Sequence, residues 1–310
     1  MSGIIAAMSF NENARLDSSR VRDRRGKGKG IAVGGGLGGG LILILSLIFG
    51  SEVVDGLGIT GGADSTAGSG SSQAITECLD GADANERLDC RIVGTAESLD
   101  SYWQPALAAE GLTYTEPGVT LFTGQTSTGC GSATAAVGPF YCPADEQTYY
   151  DTAFFEELVT QYGASGGPLA QEYVVAHEFG HHIQNLTGVL GASAQDPQGA
   201  ESAAVRTELQ ADCYAGLWAG AAASVPAPGS SEPFLAELSP ADIRDALSAA
   251  SAIGDDRIQS MATGQVNPES WTHGSGDQRQ AWFMQGYENN DGGIGACDTF
   301  GASDLDNPGA

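Results

Sequence analysis

Three of the four histidines lie together in one short stretch whose residue order suits metal-dependent hydrolysis. The stretch reads His177-Glu178-Phe179-Gly180-His181-His182. On a helix, His177 and His181 are about one turn apart on the same face, so both imidazoles can reach one Zn²⁺ ion. Glu178 is then placed to take a proton from a water molecule that the zinc activates. The pattern predicts a zinc hydrolase with Glu178 as the general base.

The third zinc ligand must come from another part of the chain, and the next long helical segment offers two acidic residues. Glu208 and Asp212 are four residues apart among apolar neighbours. Burying a carboxylate there without a partner would be costly. We assign Glu208 to the zinc and Asp212 to a hydrogen bond that orients a ligand histidine. The reverse assignment and a structural role for both acids are the alternatives.

The other two histidines carry weaker signals. His182 adjoins His181 and points about 100° away on a helix, which favours packing or hydrogen bonding over metal ligation. His273 lies in Thr-His-Gly-Ser before a helix and is a candidate catalytic residue that donates a hydrogen bond to the oxyanion. Its alternative is a histidine that caps or packs. For Asp255 and Asp256, a structural role is favoured over cation binding.

The composition indicates a folded protein with an acidic body. The chain has 310 residues, 41% of them hydrophobic, and a formal net charge of −26. Residues 31–310 hold six arginines, no lysine and 36 acidic residues. A body this acidic argues against binding to a phosphate backbone, so we expect no nucleic-acid partner. The sequence leaves the oligomeric state open.

Residues 31–50 form an uncharged segment, first glycine-rich and then apolar, that follows a basic flank. Its length suits a transmembrane helix, and the basic flank predicts a cytoplasmic N-terminus. A cleaved signal peptide or a buried helix is the alternative. We therefore expect a single-pass protein of the cell membrane with an extracytoplasmic catalytic domain. Its parts are a basic cytoplasmic tail (1–30), the transmembrane helix (31–50), a flexible linker (51–73), the domain (74–300) and a C-terminal tail (301–310).

All six cysteines follow this segment, which agrees with export to an oxidising compartment. Two pairs are each twelve residues apart, and this favours the disulfides Cys78–Cys90 and Cys130–Cys142. Cys213 and Cys297 are then the third pair. The alternative for Cys213 is a buried free thiol.

Hydrophobic periodicity and turn residues predict the elements that must position these side chains. Helices are expected at 74–99, 102–110, 153–162, 168–186, 199–223, 240–261 and 276–287, and strands at 119–123, 133–141 and 146–150. The fold class is α+β, mostly helical, with a small β-sheet before the central helices. The strand at 133–141 is a candidate edge for pairing with an extended peptide. Gly180, in mid-helix, predicts close approach of another backbone.

Taken together, these motifs resemble those of the bacterial neutral zinc metallopeptidases of the YpfJ-like family, which are membrane-anchored. The resemblance rests on residues 20–26, 138–145, 176–184, 208–213, 254–256 and 272–275. It implies a zincin-like fold, zinc as the cofactor and a peptide or protein substrate. The pattern Glu-x-x-Ala-Asp is also similar to that of membrane-linked zinc peptidases whose third ligand is the Glu, which supports Glu208.

The predicted function is therefore zinc-dependent hydrolysis of a peptide bond by an endopeptidase. One alternative is a non-catalytic extracytoplasmic binding module in which zinc only stabilises the fold. Another is a zinc amidohydrolase that acts on a non-peptide substrate of the cell envelope. The intact Glu178 argues against the binding module, because a structural zinc site does not need a general base.

Overall fold

The structure is a computed structural model that describes residues 9–25, 73–75, 77–230 and 232–309. The strands are β1 (Val21–Asp23), β2 (Gln73–Ala74), β3 (Gly118–Phe122), β4 (Gln125–Thr128), β5 (Gly131–Thr134), β6 (Phe140–Cys142) and β7 (Gln147–Asp151). The helices are α1 (Gly81–Glu86), α2 (Leu88–Ala109), α3 (Phe154–Thr160), α4 (Pro168–Thr187), α5 (Ala203–Ala221), α6 (Pro240–Ala252), α7 (Asp255–Thr263) and α8 (Gly276–Glu288). This is the mostly helical α+β architecture that the sequence predicts.

The main sheet has the strand order β2-β1-β3-β7-β6, and β4 and β5 form a separate hairpin. Strands β1, β3 and β7 are parallel, whereas β6 runs antiparallel to β7 at one edge. The predicted strand at 133–141 is divided between β5 and β6. Gly138, with φ of 75°, and Pro139 interrupt it, because neither residue suits the interior of a regular strand.

Helix α4 begins and ends where the sequence predicts, whereas α5 begins at Ala203 rather than at residue 199. Pro168 occupies the first turn of α4, and Gly188 ends this helix in a left-handed conformation. Two other expectations were wrong. The expected helices at 74–99 and 102–110 are replaced by α1 and a continuous α2. The expected helix at 240–261 breaks at Gly254, where a Cβ atom would lie 2.3 Å from the amide nitrogen of Gly276.

Glycines allow the central helices to approach one another closely. A Cβ atom at Gly180 would lie 2.9 Å from the Ala211 Cα, so α4 and α5 pack backbone to backbone as predicted. Helices α5 and α8 are closer still, since a Cβ atom at Gly216 would lie 2.0 Å from the Phe283 carbonyl oxygen. The third disulfide, Cys213–Cys297, joins α5 to the segment after α8. The two local disulfides also form as predicted.

The N-terminal segment, residues 9–25, packs against the rest of the domain. Phe10 is buried, and β1 pairs with β3 in the main sheet. The structure thus differs from the expected division, in which residues 1–30 form a separate tail and the domain begins at residue 74. The apolar residues Phe10, Ala14 and Val21 lie in the same core as the central helices, and they outweigh the basic character of the segment.

The C-terminal residues also differ from expectation. Leu305 is buried, and Trp282 Nε1 donates a hydrogen bond to its carbonyl oxygen at 3.0 Å. The expected tail at 301–310 therefore packs on α8 rather than extending from the domain. The expected transmembrane helix at 31–50 lies outside the described residues. Among the residues that are described, no helix has the length and apolarity needed to cross a bilayer.

Candidate metal centre

Helices α4 and α5 bring three potential metal ligands together in the core. Ligand atoms of His177, His181 and Glu208 all lie within 4.8 Å of one another, and all three residues are buried. Glu208 Oε2 is 3.2 Å from His177 Nε2, and Glu208 Oε1 is 3.5 Å from His181 Nε2. Two imidazole nitrogens and a carboxylate that converge in this way fit Zn²⁺, which commonly takes three protein ligands and keeps one position for water.

Hydrogen bonds to the opposite ring nitrogens orient both histidines. His177 Nδ1 is 2.8 Å from Asp212 Oδ1, and His181 Nδ1 is 2.9 Å from Gln184 Oε1. Because both oxygens accept, each Nδ1 carries a proton, and Nε2 is the ring atom of each histidine that is left for the metal. Gln184 is itself held, since its Nε2 donates to the Thr207 carbonyl oxygen at 2.6 Å. Sequence reasoning identified Asp212 but missed Gln184.

Asp212 lies in a buried network that sequence reasoning identified only in part. Its carboxylate accepts from Arg279 Nε at 2.8 Å and Arg279 Nη2 at 3.0 Å, and also from the Tyr173 hydroxyl. Burial alone would raise the pKa of Asp212, but Arg279 and His177 more than offset this and lower it. Burial alone would lower the pKa of His177, yet Asp212 raises it to about 10. Zinc would therefore displace a proton from this ring.

The charges of Glu178 and His273 both interact with that of Glu208. Burial raises the pKa of Glu178 to about 7. Asp255 Oδ2 holds the loop of His273, because it accepts from the backbone amides of Thr272, His273 and Gly274 at 2.6, 2.6 and 3.1 Å. Burial by itself lowers the pKa of His273, but the carboxylates of Glu208 and Asp255 raise it. Asp255 thus has the expected structural role.

His182 does not face the ligand cluster. Its ring lies between the Tyr141 hydroxyl and the Thr115 carbonyl oxygen. This agrees with the prediction that it packs and forms hydrogen bonds. The residues that sequence reasoning missed are Tyr173, Gln184 and Arg279. One signal was available for Arg279, since it is one of only six arginines after residue 30 and lies one helical turn before Trp282 and Phe283.

Helices α4 and α5 pack together and place two histidines and a glutamate around one point, with a second glutamate next to one of the histidines in the sequence. This arrangement is typical of zinc-binding proteins. The chain belongs to the family described as putative neutral zinc metallopeptidase, which it matches over residues 8–300. Zinc is accordingly the cofactor, and the function is of the metallopeptidase type.

Two relatives from bacteria are similar to this chain over most of its length. An uncharacterised protein of Mycobacterium tuberculosis (strain ATCC 25618 / H37Rv) is 57% identical over 231 residues, which cover 74% of this chain and 77% of the relative. The protein YpfJ of Escherichia coli (strain K12) is 37% identical over 301 residues, which cover 93% of this chain and 98% of the relative. No solved structure gives a significant match.

Proposed function

We propose that this protein is a zincin-like, zinc-dependent endopeptidase, with His177, His181 and Glu208 as zinc ligands and Glu178 as the general base. The observation that carries the proposal is the convergence of the three ligand atoms within 4.8 Å in a buried site. The family supports it, because its description names a zinc metallopeptidase.

Glu178, His273 and Asp255 have different roles in the proposed hydrolysis. Zinc, when bound, supplies Lewis-acid activation of water and of the substrate carbonyl group. Glu178, whose pKa burial raises to about 7, accepts a proton from the attacking water. The same carboxyl then delivers that proton to the leaving amine as the C–N bond breaks. His273 donates a hydrogen bond to the oxyanion, and Asp255 holds its loop in place.

The proposed substrate is a peptide or protein, in keeping with the family description. Strand β6 is at the edge of the main sheet, and among the described residues it pairs only with β7. All three of its residues are buried, so its outer edge is covered and does not suit the pairing with a peptide that the sequence predicts for 133–141. The acidic body disfavours strongly acidic peptides, since like charges repel.

The disulfides favour work outside the cytoplasm. The domain has three of them, and disulfides persist in oxidising compartments. We propose that residues 31–50 hold this extracytoplasmic domain at the membrane. Exposure of the domain in intact cells to a protease or a thiol-reactive label that cannot cross the membrane would test the compartment.

The function is tested with the full chain, by measuring bound zinc and cleavage of an unfolded, fluorescently labelled protein. We expect about one zinc per chain in the wild type, and a sharp fall in zinc affinity in Glu208→Ala. Glu178→Gln should keep the zinc and lose about 10²–10⁴-fold in kcat. Glu156→Gln, on the exposed face of α3, is the control and should behave as the wild type.

Each alternative has its own outcome. A folded wild type without zinc, or a Glu178→Gln variant as active as the wild type, would overturn the proposal. Bound zinc without cleavage of any peptide would favour the non-catalytic binding module. Cleavage confined to non-peptide amides would favour the amidohydrolase.

A further inference from the structure

The C-terminal strap, residues 297–302, is attached to one face of helix α5. Cys213 of this helix forms the third disulfide with Cys297. Gln210, three residues before Cys213, donates from Nε2 to the Cys297 carbonyl oxygen at 3.0 Å. Arg206, four residues earlier still, donates from Nη1 to another strap carbonyl oxygen at 3.0 Å. Residues with this spacing lie on the same face of a helix, so the strap is held at three points along the helix that carries the carboxylate ligand.

The side-chain amide of Gln210 faces the strap with one end and helix α4 with the other. Its Nε2 faces the Cys297 carbonyl oxygen, which can only accept, so this end of the amide must be the donor. Its Oε1 then faces α4 and accepts from Gln184 Nε2 at 3.1 Å. Both glutamines are buried, so water does not compete for these groups. The strap therefore determines which end of the Gln210 amide faces Gln184.

Gln184 in turn determines which ring nitrogen of His181 carries the proton. Its Nε2 donates to Gln210 Oε1 and to the Thr207 carbonyl oxygen, so its Oε1 is the atom that faces His181 Nδ1 at 2.9 Å. Nδ1 must then donate, and Nε2 is left for the metal. If the amide of Gln184 turned over, its NH₂ group would face Nδ1, and the ring would carry its proton on Nε2, where it would block the metal.

We propose that Gln210 is a positioning residue of the metal centre, which holds Gln184, and through it His181, in the orientation that the strap sets. This proposal rests on the proposed function, because it takes His181 as a zinc ligand. Gln210 is not a member of the ligand cluster and acts through Gln184. The Cys213–Cys297 disulfide then contributes to zinc binding, since it holds the carbonyl group to which Gln210 donates.

The test compares Gln210→Leu with a matched control, Ser98→Ala. Ser98 lies on α2, is fully buried, and accepts from Trp218 Nε1 on α5 at 3.0 Å. Both variants remove buried side-chain hydrogen bonds made with α5, but only Gln210→Leu breaks the path to His181. The zinc affinity of the full chain is measured by competition with a chelator. The ring tautomer of His181 is measured by ¹⁵N NMR of the zinc-free protein.

We expect Gln210→Leu to weaken zinc binding about fivefold to tenfold, which is the scale of one lost buried hydrogen bond. Gln184→Leu, which removes the direct partner of His181, should weaken it about 10–100-fold. The double variant should bind no more weakly than Gln184→Leu, because Gln210 acts through Gln184. In Gln210→Leu, part of the His181 ring should carry its proton on Nε2, whereas Ser98→Ala should match the wild type in both measurements.

The disulfides provide a second comparison. Cys213→Ala/Cys297→Ala should weaken zinc binding about as much as Gln210→Leu does, because the Cys297 carbonyl group is no longer held. Its control is Cys78→Ala/Cys90→Ala, which removes another disulfide between two buried residues and should keep the zinc affinity within about twofold of the wild type. Circular dichroism of each protein shows whether the compared variants are folded.

Three results would overturn the proposal: wild-type zinc affinity in Gln210→Leu, an unchanged His181 tautomer in that variant, or an equal loss of affinity in Ser98→Ala. A wild type that binds zinc but cleaves nothing would refute the proposed endopeptidase alone, and the zinc affinities still test the role of Gln210. If the wild type binds no zinc, the tautomer is the test. A mixed His181 tautomer in Gln210→Leu then supports the positioning role, and an unchanged one overturns it.

Discussion

The metal centre and the contact of the N-terminal segment each contain a buried carboxyl group, but the two groups are held differently. In the metal centre, Asp212 accepts two hydrogen bonds from Arg279 and its pKa is lowered. Under the N-terminal segment, Glu172 accepts one from the Ser9 hydroxyl, while Arg91 Nε is 3.8 Å away. Glu172 Oε2 is buried and has no hydrogen-bond partner among the described residues, and burial raises the pKa of Glu172 to about 7.

The difference lies in how completely a nearby cation compensates for burial. A bidentate arginine keeps Asp212 ionised, so His177 has the same acceptor at any ordinary pH. Arg91 is too far from Glu172 to offset the loss of water, and this carboxyl group is protonated below neutral pH. The same helix α4 thus contacts one carboxylate whose charge is constant and carries another whose charge changes near pH 7.

The largest expected effect comes from removing the cation beside Asp212, so that this carboxylate, like Glu172, is buried without full compensation. Arg279→Met fills a similar volume but leaves Asp212 buried without its cation. We expect a loss of about 3–5 kcal/mol in the free energy of unfolding, measured by denaturant titration of the zinc-free protein. Zinc affinity should also fall about 10–100-fold, because Asp212 no longer orients His177 reliably.

The control for this variant is Arg257→Met. Arg257 is 56% exposed, and its Nε is 3.6 Å from Asp256 Oδ2, so its removal should change stability by less than about 0.5 kcal/mol. If Arg279→Met is as stable as this control, Asp212 does not depend on Arg279 and the two regions do not differ as described.

A smaller effect comes from Glu172 and depends on pH. Its pKa is raised to about 7, so the folded state holds a proton that the unfolded state releases near pH 4.5. Stability should therefore fall as the pH rises between about 4.5 and 7, by at most about 3 kcal/mol from this group. In Glu172→Gln this part of the pH dependence should be absent, and the variant should exceed the wild type most above pH 7.

Denaturant titrations of both proteins from pH 5 to pH 8 measure this difference. Glu97, whose pKa burial also raises to about 7, is unchanged in the variant and cancels in the comparison. A difference between the two proteins that stays constant over this range would mean that Glu172 does not titrate as described.

The smallest expected effect is a change in stability whose sign tests whether the N-terminal segment packs against α2. Gly94 lies inside α2, and a Cβ atom there would be 2.7 Å from Cε1 of Phe10. With the segment packed, Gly94→Ala should cost about 1–3 kcal/mol, and Phe10→Leu should relieve part of that cost. Without the segment, the same change should stabilise α2 by about 1 kcal/mol, since alanine favours helix. Thermal unfolding of the single and double variants gives the sign.

Local signals made the central helices and the ligand cluster predictable from sequence. The four-residue spacing of His177 and His181 needs only a helix, and Pro168 and Gly188 mark where that helix begins and ends. Glu208 could be predicted as a ligand because an acid buried among apolar residues needs a partner. The structure brings His177, His181 and Glu208 together.

Long-range pairing made the remaining features hard to predict. Strand β1 has only three residues, reads Val-Arg-Asp, and pairs with residues almost a hundred positions later. Such a strand has no local period, and its charges favour a solvated tail. Arg279 is similar, since only the packing of α8 against α4 and α5 brings its guanidinium group to Asp212.

The pairing of β1 with β2 restricts how the chain between them could cross a bilayer. Asp23 lies opposite Gln73, so the chain leaves the domain and returns to it at adjacent positions. A segment that crossed a membrane once between them would separate these two residues by the whole bilayer, and β1 could not reach the sheet. A single crossing between Asp23 and Gln73 is therefore incompatible with this pairing.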